Sequence, residues 1–154
     1  MRKTMLFGLL SVLIVLVVLA TGLMLKLGSD SRRMSVSVGV VEGRLIACSS
    51  TPNCVSSDAS PEDSHYIDPI TDPTGSKWAG LVETVRGMPG ATLIEQHDDY
   101  AHFTFTTGLW RFVDDVEFHH RPQAAEIAIR SASRVGRSDW SANRNRLEAI
   151  RAVL

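Results

Sequence analysis

Hydrophobic and polar positions divide this chain into a short first part and a longer second one. Residues 5–25 form an unbroken run of apolar and small side chains, with Arg2 and Lys3 ahead of it and no charge inside. At a rise of about 1.5 Å per residue the run covers roughly 30 Å, the thickness of a bilayer's hydrocarbon core. The pattern predicts a transmembrane signal anchor over residues 1–27. A polar stretch over 28–44 reads as a linker, and 45–154 as one domain.

Inside the domain the period changes several times. Pro52, Pro61, Pro69 and Pro73 among many Ser and Asp predict an irregular lead-in over 49–74, with Tyr66 and Ile67 pinned to the core. Trp78, Leu81, Val82 and Val85 then recur at helical spacing. Thr74 or Ser76 is placed to cap that helix, and Gly87 with Pro89 ends it. A hairpin follows, Thr92–Gln96 and Tyr100–Thr107 around His97-Asp98-Asp99, with Phe103 and Phe105 on one face and His102 and Thr104 on the other. A third strand is expected over Leu109–Phe118 and, after a break at His119-His120-Arg121-Pro122, a fourth over 126–134. Leu147, Ile150 and Val153 or Leu154 mark the stripe of a last helix starting near Ser141 to Asn143. Helix, four strands, helix gives an α+β fold, a two-layer domain whose four-stranded antiparallel sheet is flanked by helices (α-β-β-β-β-α).

Length and charge narrow the function classes. Of 154 residues, roughly 110 lie beyond the anchor and linker, enough for one core and too few for two. A net charge of −1 gives no global field for nucleic acid, and none is expected as a partner. Lys26, Arg32 and Arg33 follow the apolar run, so a count of positive flanks alone does not favour export; the cysteines and the family resemblance below do. The expected location is the inner membrane, single-pass, with the domain on the periplasmic side. Val18 and Ala20 have the spacing of a signal-peptidase site, but the apolar run continues past them. Leu45-Ile46-Ala47-Cys48 imitates a lipobox some twenty residues too late.

Cys48 and Cys54 stand with five residues between them. In an oxidising compartment such a pair closes a small loop worth roughly 2 kcal/mol, which is the favoured reading. Half of a metal site would require two more ligands, and none of the five histidines stands at a zinc-like spacing. A reactive Cys54 beside Ser56 and Ser57 has no adjacent base in sequence.

Several motifs now carry a family resemblance. Cys48-x-x-x-x-Asn53-Cys54-Val55-Ser56-Ser57, then Phe112-Val113-Asp114-Asp115-Val116-Glu117-Phe118, then Arg130-Ser131-Ala132-Ser133-Arg134-Val135-Gly136-x-Ser138-Asp139, then Asn143-Arg144-x-Arg146 follow in this order. Between about Leu45 and Arg151 the chain resembles the domain-of-unknown-function 1499 family. The resemblance implies a small exported or membrane-attached bacterial protein, with relatives in chloroplasts and no agreed activity. The family pattern has an aromatic where Arg137 stands and a glycine near Ser141, so the turn before the last helix is expected to be built differently here.

The charged residues of those motifs are the candidate binding site: Asp114, Asp115, Glu117, Arg130, Arg134, Asp139, Asn143, Arg144 and Arg146. Strand alternation puts Asp115 and Glu117 on one face, shared with His102, Arg130 and Arg134, and leaves Asp114 among core phenylalanines. An unpaired carboxylate there is costly, so Asp114 should meet Ser131, Ser133 or a late arginine, or mark a bulge. The bland reading of the shared face is cross-strand pairs on a solvated surface. Around Asp139 and Asn143 the arginines 134, 137, 144 and 146 crowd a helix N-terminus; an internal Arg–carboxylate network is the first expectation and an external anion site the second.

His119 and His120 read as exposed polar sequence, so no metal site or cofactor is expected. Two functions follow from different classes. The first is a membrane-anchored binding or assembly module that docks on a membrane protein or an anionic headgroup. The second is an envelope hydrolase that uses Asp115 or Glu117, about 7 Å apart, with His102.

Overall fold

The structure, a computed structural model, describes residues 2–34 and 36–154. Its first helix, α1, runs over Arg2–Arg33 and is long and apolar enough to cross a membrane. From Leu6 to Leu23 its side chains are exposed, so this stretch packs on nothing else in the chain. The helix continues eight residues past Leu25. That extension is polar, holds a Lys26–Asp30 pair at 2.7 Å, and carries Arg32 and Arg33 in its last turn, where cations suit the helix dipole.

The remaining strands are β1 (Val40–Val41), β2 (Arg44–Leu45), β3 (Cys54–Ser56), β4 (Ile70–Thr71), β5 (Ala91–Gln96), β6 (Tyr100–Thr106), β7 (Val113–Arg121) and β8 (Glu126–Ser133). The helices α2 (Ser76–Arg86) and α3 (Ala142–Val153) complete the domain. The order across the main sheet is β3-β8-β7-β6-β5, all antiparallel, with β4 on the far end of β8. The sheet therefore has six strands, not four. Its centre, β5 to β8, is the expected meander. The two extra strands come from the lead-in, where three and two residues are too short to show an alternating pattern.

Two boundaries also move. His119 and His120 lie inside β7, and the break falls on a 3-10 turn at Pro122–Ala124. Residues 109–112 form a turn in which Arg111 takes a left-handed φ of 56°. At the start of α2 Thr74 Oγ1 accepts only a long bond, from Ser76 N–H at 3.4 Å, and the main cap comes from further upstream. Asp72, buried ahead of the helix, accepts from the backbone N–H groups of Lys77 and Trp78 at 3.2 and 2.8 Å.

Helices α2 and α3 cover one sheet face. Leu81, Val82 and Val85 with Leu147 and Ile150 meet Phe103, Phe105, Val116, Phe118, Ile127 and Ile129. Phe103 and Phe118 pack edge to face at 6.2 Å, an arrangement worth about 0.5–1.5 kcal/mol beyond area burial.

The other face is not solvated. The stretch read as a linker, 28–44, is structured instead. Beyond α1 the chain crosses this face and folds back through the β1–β2 hairpin, whose turn residues Glu42 and Gly43 have φ of 51° and 76°. Leu45 then packs with Tyr100 and Ala128 as a second small core. Leu45 N–H donates to Asp58 Oδ2 at 2.8 Å, and the Cys48–Cys54 disulfide ties the end of this cover to the start of β3. The sheet thus has helices on one side and its own N-terminal segment on the other. The cover is anchored to side-chain carboxylates through backbone N–H groups, which have no signature of their own in the sequence.

Candidate functional site

Register assigns every charged residue of β6, β7 and β8 to a face. Thr104, Asp115 and Ala132 stand side by side, as do His102, Glu117 and Arg130. These rows point at the covering segment. The rows that alternate with them, Phe105–Asp114–Ser133 and Phe103–Val116–Ser131, point at the helices. The candidate residues accordingly form two clusters, one on each side of the sheet.

Under the cover, Asp115 accepts a bidentate pair from Arg134 Nε and Nη2, both at 2.8 Å, and a third bond from His102 Nε2 at 2.8 Å. Burial pushes the Asp115 carboxyl up, and the bonds and charge of Arg134 with those of His102 outweigh it, holding the group below the usual carboxylate range. The same hydrogen bond raises Arg134. Glu117 is fully buried. It accepts from Arg130 Nη1, from Tyr100 Oη at 2.9 Å and from Gly39 N–H at 2.6 Å. Burial first, and the Glu117 charge second, push the Tyr100 phenol far above its ordinary value, so it stays a donor. Four groups, two arginines and two carboxylates, cancel in charge.

On the helix side Asp114 meets a late arginine. Arg146 Nη2 donates to it at 2.6 Å, while Arg146 Nη1 donates to Asn143 Oδ1 at 2.7 Å and Ser131 Oγ at 3.0 Å, and the guanidinium lies 4.8 Å from the Phe105 ring centre. Asn143 is fully buried at the start of α3, and its Nδ2 donates to the Asn53 carbonyl and to Ser133 Oγ, both at 2.9 Å. Asp139 accepts from the N–H groups of Ser141 and Asn143 at 3.1 and 2.9 Å, which caps α3. Arg144 donates to the Tyr66 carbonyl at 2.6 Å. Arg134, Arg144 and Arg146 all point inward, and Arg137 is exposed.

Other partners have no signature of their own in sequence. Asp58, Arg121 and Gly39 belong to no motif, yet Arg121 forks onto both Asp58 oxygens at 2.9 and 2.6 Å. Asn53 belongs to the cysteine motif, and its Nδ2 bonds the Gly136 carbonyl at 2.7 Å, tying the disulfide loop to the turn before α3.

The cover does not close completely. A cleft of about 280 Å³ opens beside the disulfide, between Val36, Ser37 and Ile46 on one wall and β3 and β8 on the other. Asp115, Arg130 and Arg134 reach it. Among the described residues no three His, Cys, Asp or Glu side chains converge to hold a metal ion.

Residues 44–154, from β2 to the end of α3, match the family described as "Protein of unknown function (DUF1499)". The chain belongs to the DUF1499 family. No curated protein and no solved structure matches it. The family-matched part begins at the second strand of the covering hairpin, so Gly39, Val36 and Ser37 lie ahead of it. Both charge clusters lie within the DUF1499 region, and part of the cover over one of them does not.

Proposed function

We propose that this DUF1499 protein is a membrane-anchored binding or assembly module, held in the inner membrane by α1 with its domain on the periplasmic side, which docks on a membrane protein or an anionic headgroup. One observation carries the reading: α1 continues as a single helix into the domain and is fastened there. Ser31 Oγ bonds both the N–H and the carbonyl of Val113, and Gly28 lies against the Trp110 carbonyl. Gly28 is only about 4.5 Å of helix rise beyond Leu25, the last residue of the apolar run. The turn at 109–112 is therefore held at headgroup depth.

The composition of this end favours headgroups over a protein partner. The turns at 107–112 and 134–141 leave the sheet at the same end, because Thr106, Val113 and Ser133 are strand ends side by side. They expose Leu109 (76 %) and Trp140 (92 %) with Arg111 and Arg137, next to Arg32 and Arg33. Aromatic and cationic side chains together suit the interface of an anionic membrane. The hydrolase reading would use the His102–Asp115 pair. Both Asp115 oxygens already accept hydrogen bonds there, which leaves the pair little capacity as a general base.

The test uses full-length protein with Trp140 as the single tryptophan, reconstituted in vesicles of brominated phosphatidylglycerol and phosphatidylcholine. The expected result is quenching of Trp140 that weakens when Arg32, Arg33 and Arg111 are replaced by Gln. An unquenched Trp140 counts against headgroup docking. A stoichiometric membrane protein co-purifying in mild detergent would then identify the partner.

A further inference from the structure

We infer that the cleft beside the disulfide is a binding site for an oxyanion, the carboxylate or phosphate group of a small ligand. The inference goes beyond the docking end, because it rests on the covered sheet face. Arg130 is 7 % exposed and gives only Nη1 to Glu117; its Nε is buried and finds no hydrogen-bond partner among the described residues. A buried guanidinium N–H without a partner is costly, and in native proteins such groups are almost always satisfied. The free edge, Nε with Nη2, is the pair that forks onto two oxygens of a carboxylate or phosphate.

The surroundings select the charge and size of the ligand. The charged side chains lining the cleft are two arginines and one acid, and the acid, Asp115, is already engaged by Arg134 and His102. Arg134 Nη1 makes no hydrogen bond among the described residues, so a second cationic donor remains on the same cleft. A volume of about 280 Å³ far exceeds the roughly 10–15 Å³ that one water requires, and it falls below the usual range of about 300–1,000 Å³ for drug-sized ligands. Val36, Ile46, Ala132 and the disulfide supply apolar walls. A single oxyanion group with a short apolar attachment fits this combination.

Melting of the full-length protein in nanodiscs tests the site with inorganic phosphate and acetate as soluble probes in phosphatidylcholine discs, and with phosphatidylglycerol discs as the tethered probe. Two variants are compared with wild type. Arg130→Lys keeps the charge opposite Glu117 and loses the forked edge; Ala132→Leu fills the cleft from its floor and leaves every ion pair intact. A concentration-dependent rise in melting temperature with phosphate or acetate, weakened about tenfold or more in apparent affinity by both variants, supports a free oxyanion. A rise only on phosphatidylglycerol discs, lost in both variants, supports a lipid headgroup in the same cleft. If Arg130→Lys does not fold, Ala132→Leu decides alone. Absence of any shift with all three probes overturns the site. So does a shift that survives Ala132→Leu; on the anionic discs such a shift belongs to the docking end.

Discussion

Glu117 has no contact with water, so its three donors determine what its charge costs. Removing it leaves Arg130 buried without its counter-ion, and Glu117→Leu is expected to lower stability by about 3–5 kcal/mol. The double variant Glu117→Leu, Arg130→Met removes both charges and is expected to cost less than the single change. Denaturant unfolding of the full-length protein in detergent, followed by tryptophan fluorescence, measures both. Asp115 works through pH. Its folded value lies below the 3.8 of the unfolded chain, so its contribution is complete above pH 3.8 and is lost as the pH falls through the folded value. Asp58, held low against burial by Arg121 and Leu45 N–H, adds to the same acid limb. His119, lowered first by burial and then by Arg121, acts earlier: its stabilising neutrality is present above 6.5 and is lost below it. Arg134→Gln should raise the pH midpoint of acid unfolding, read by circular dichroism; an unchanged midpoint would show that Asp115 does not depend on that pair.

The central strands were legible because they alternate. Phe103 and Phe105 against His102 and Thr104, and Asp115 and Glu117 against Val116 and Phe118, place each side chain on its observed face. What lies over the polar face was not legible. Residues 36–47 follow the polar end of α1 and form only two-residue strands, and two of their attachments, Gly39 N–H to Glu117 and Leu45 N–H to Asp58, are made by backbone that carries no side-chain signature. For the same reason the sequence revealed a charged face and not its burial. The turn before α3 shows the reverse case, where the residue choice has a visible cost. Trp140 and Ser141 both take left-handed φ, 54° and 66°. That conformation costs an L-residue about 1–2 kcal/mol, and glycine avoids it while losing more entropy on folding. Ser141→Gly is therefore expected to stabilise the protein by about 0.5 kcal/mol, since Ser141 is exposed and its hydrogen bonds, N–H to Asp139 and carbonyl from Asn145, use backbone that glycine keeps. Thermal melting decides it, and a lower melting temperature would contradict the strain argument.

For the molecule as a whole, the junction of α1 with the domain decides how freely the two can move. A Cβ added at Gly28 would sit 1.9 Å from the Trp110 carbonyl oxygen, with backbone on both sides and nothing flexible to yield. Gly28→Val is expected to separate the helix from the β6–β7 turn and cost about 1–3 kcal/mol. Hydrogen exchange at the Val113 amide, which donates to Ser31, reports the separation directly. The covering segment has a practical corollary. A shortened chain cut at residue 44, where the family match starts, would lack Gly39, Val36 and Ser37. It would lay Glu117 open to water and remove one wall of the cleft. The smallest piece that keeps this chemistry intact therefore begins no later than Val36, and experiments on the family-matched region alone would be performed on a different surface.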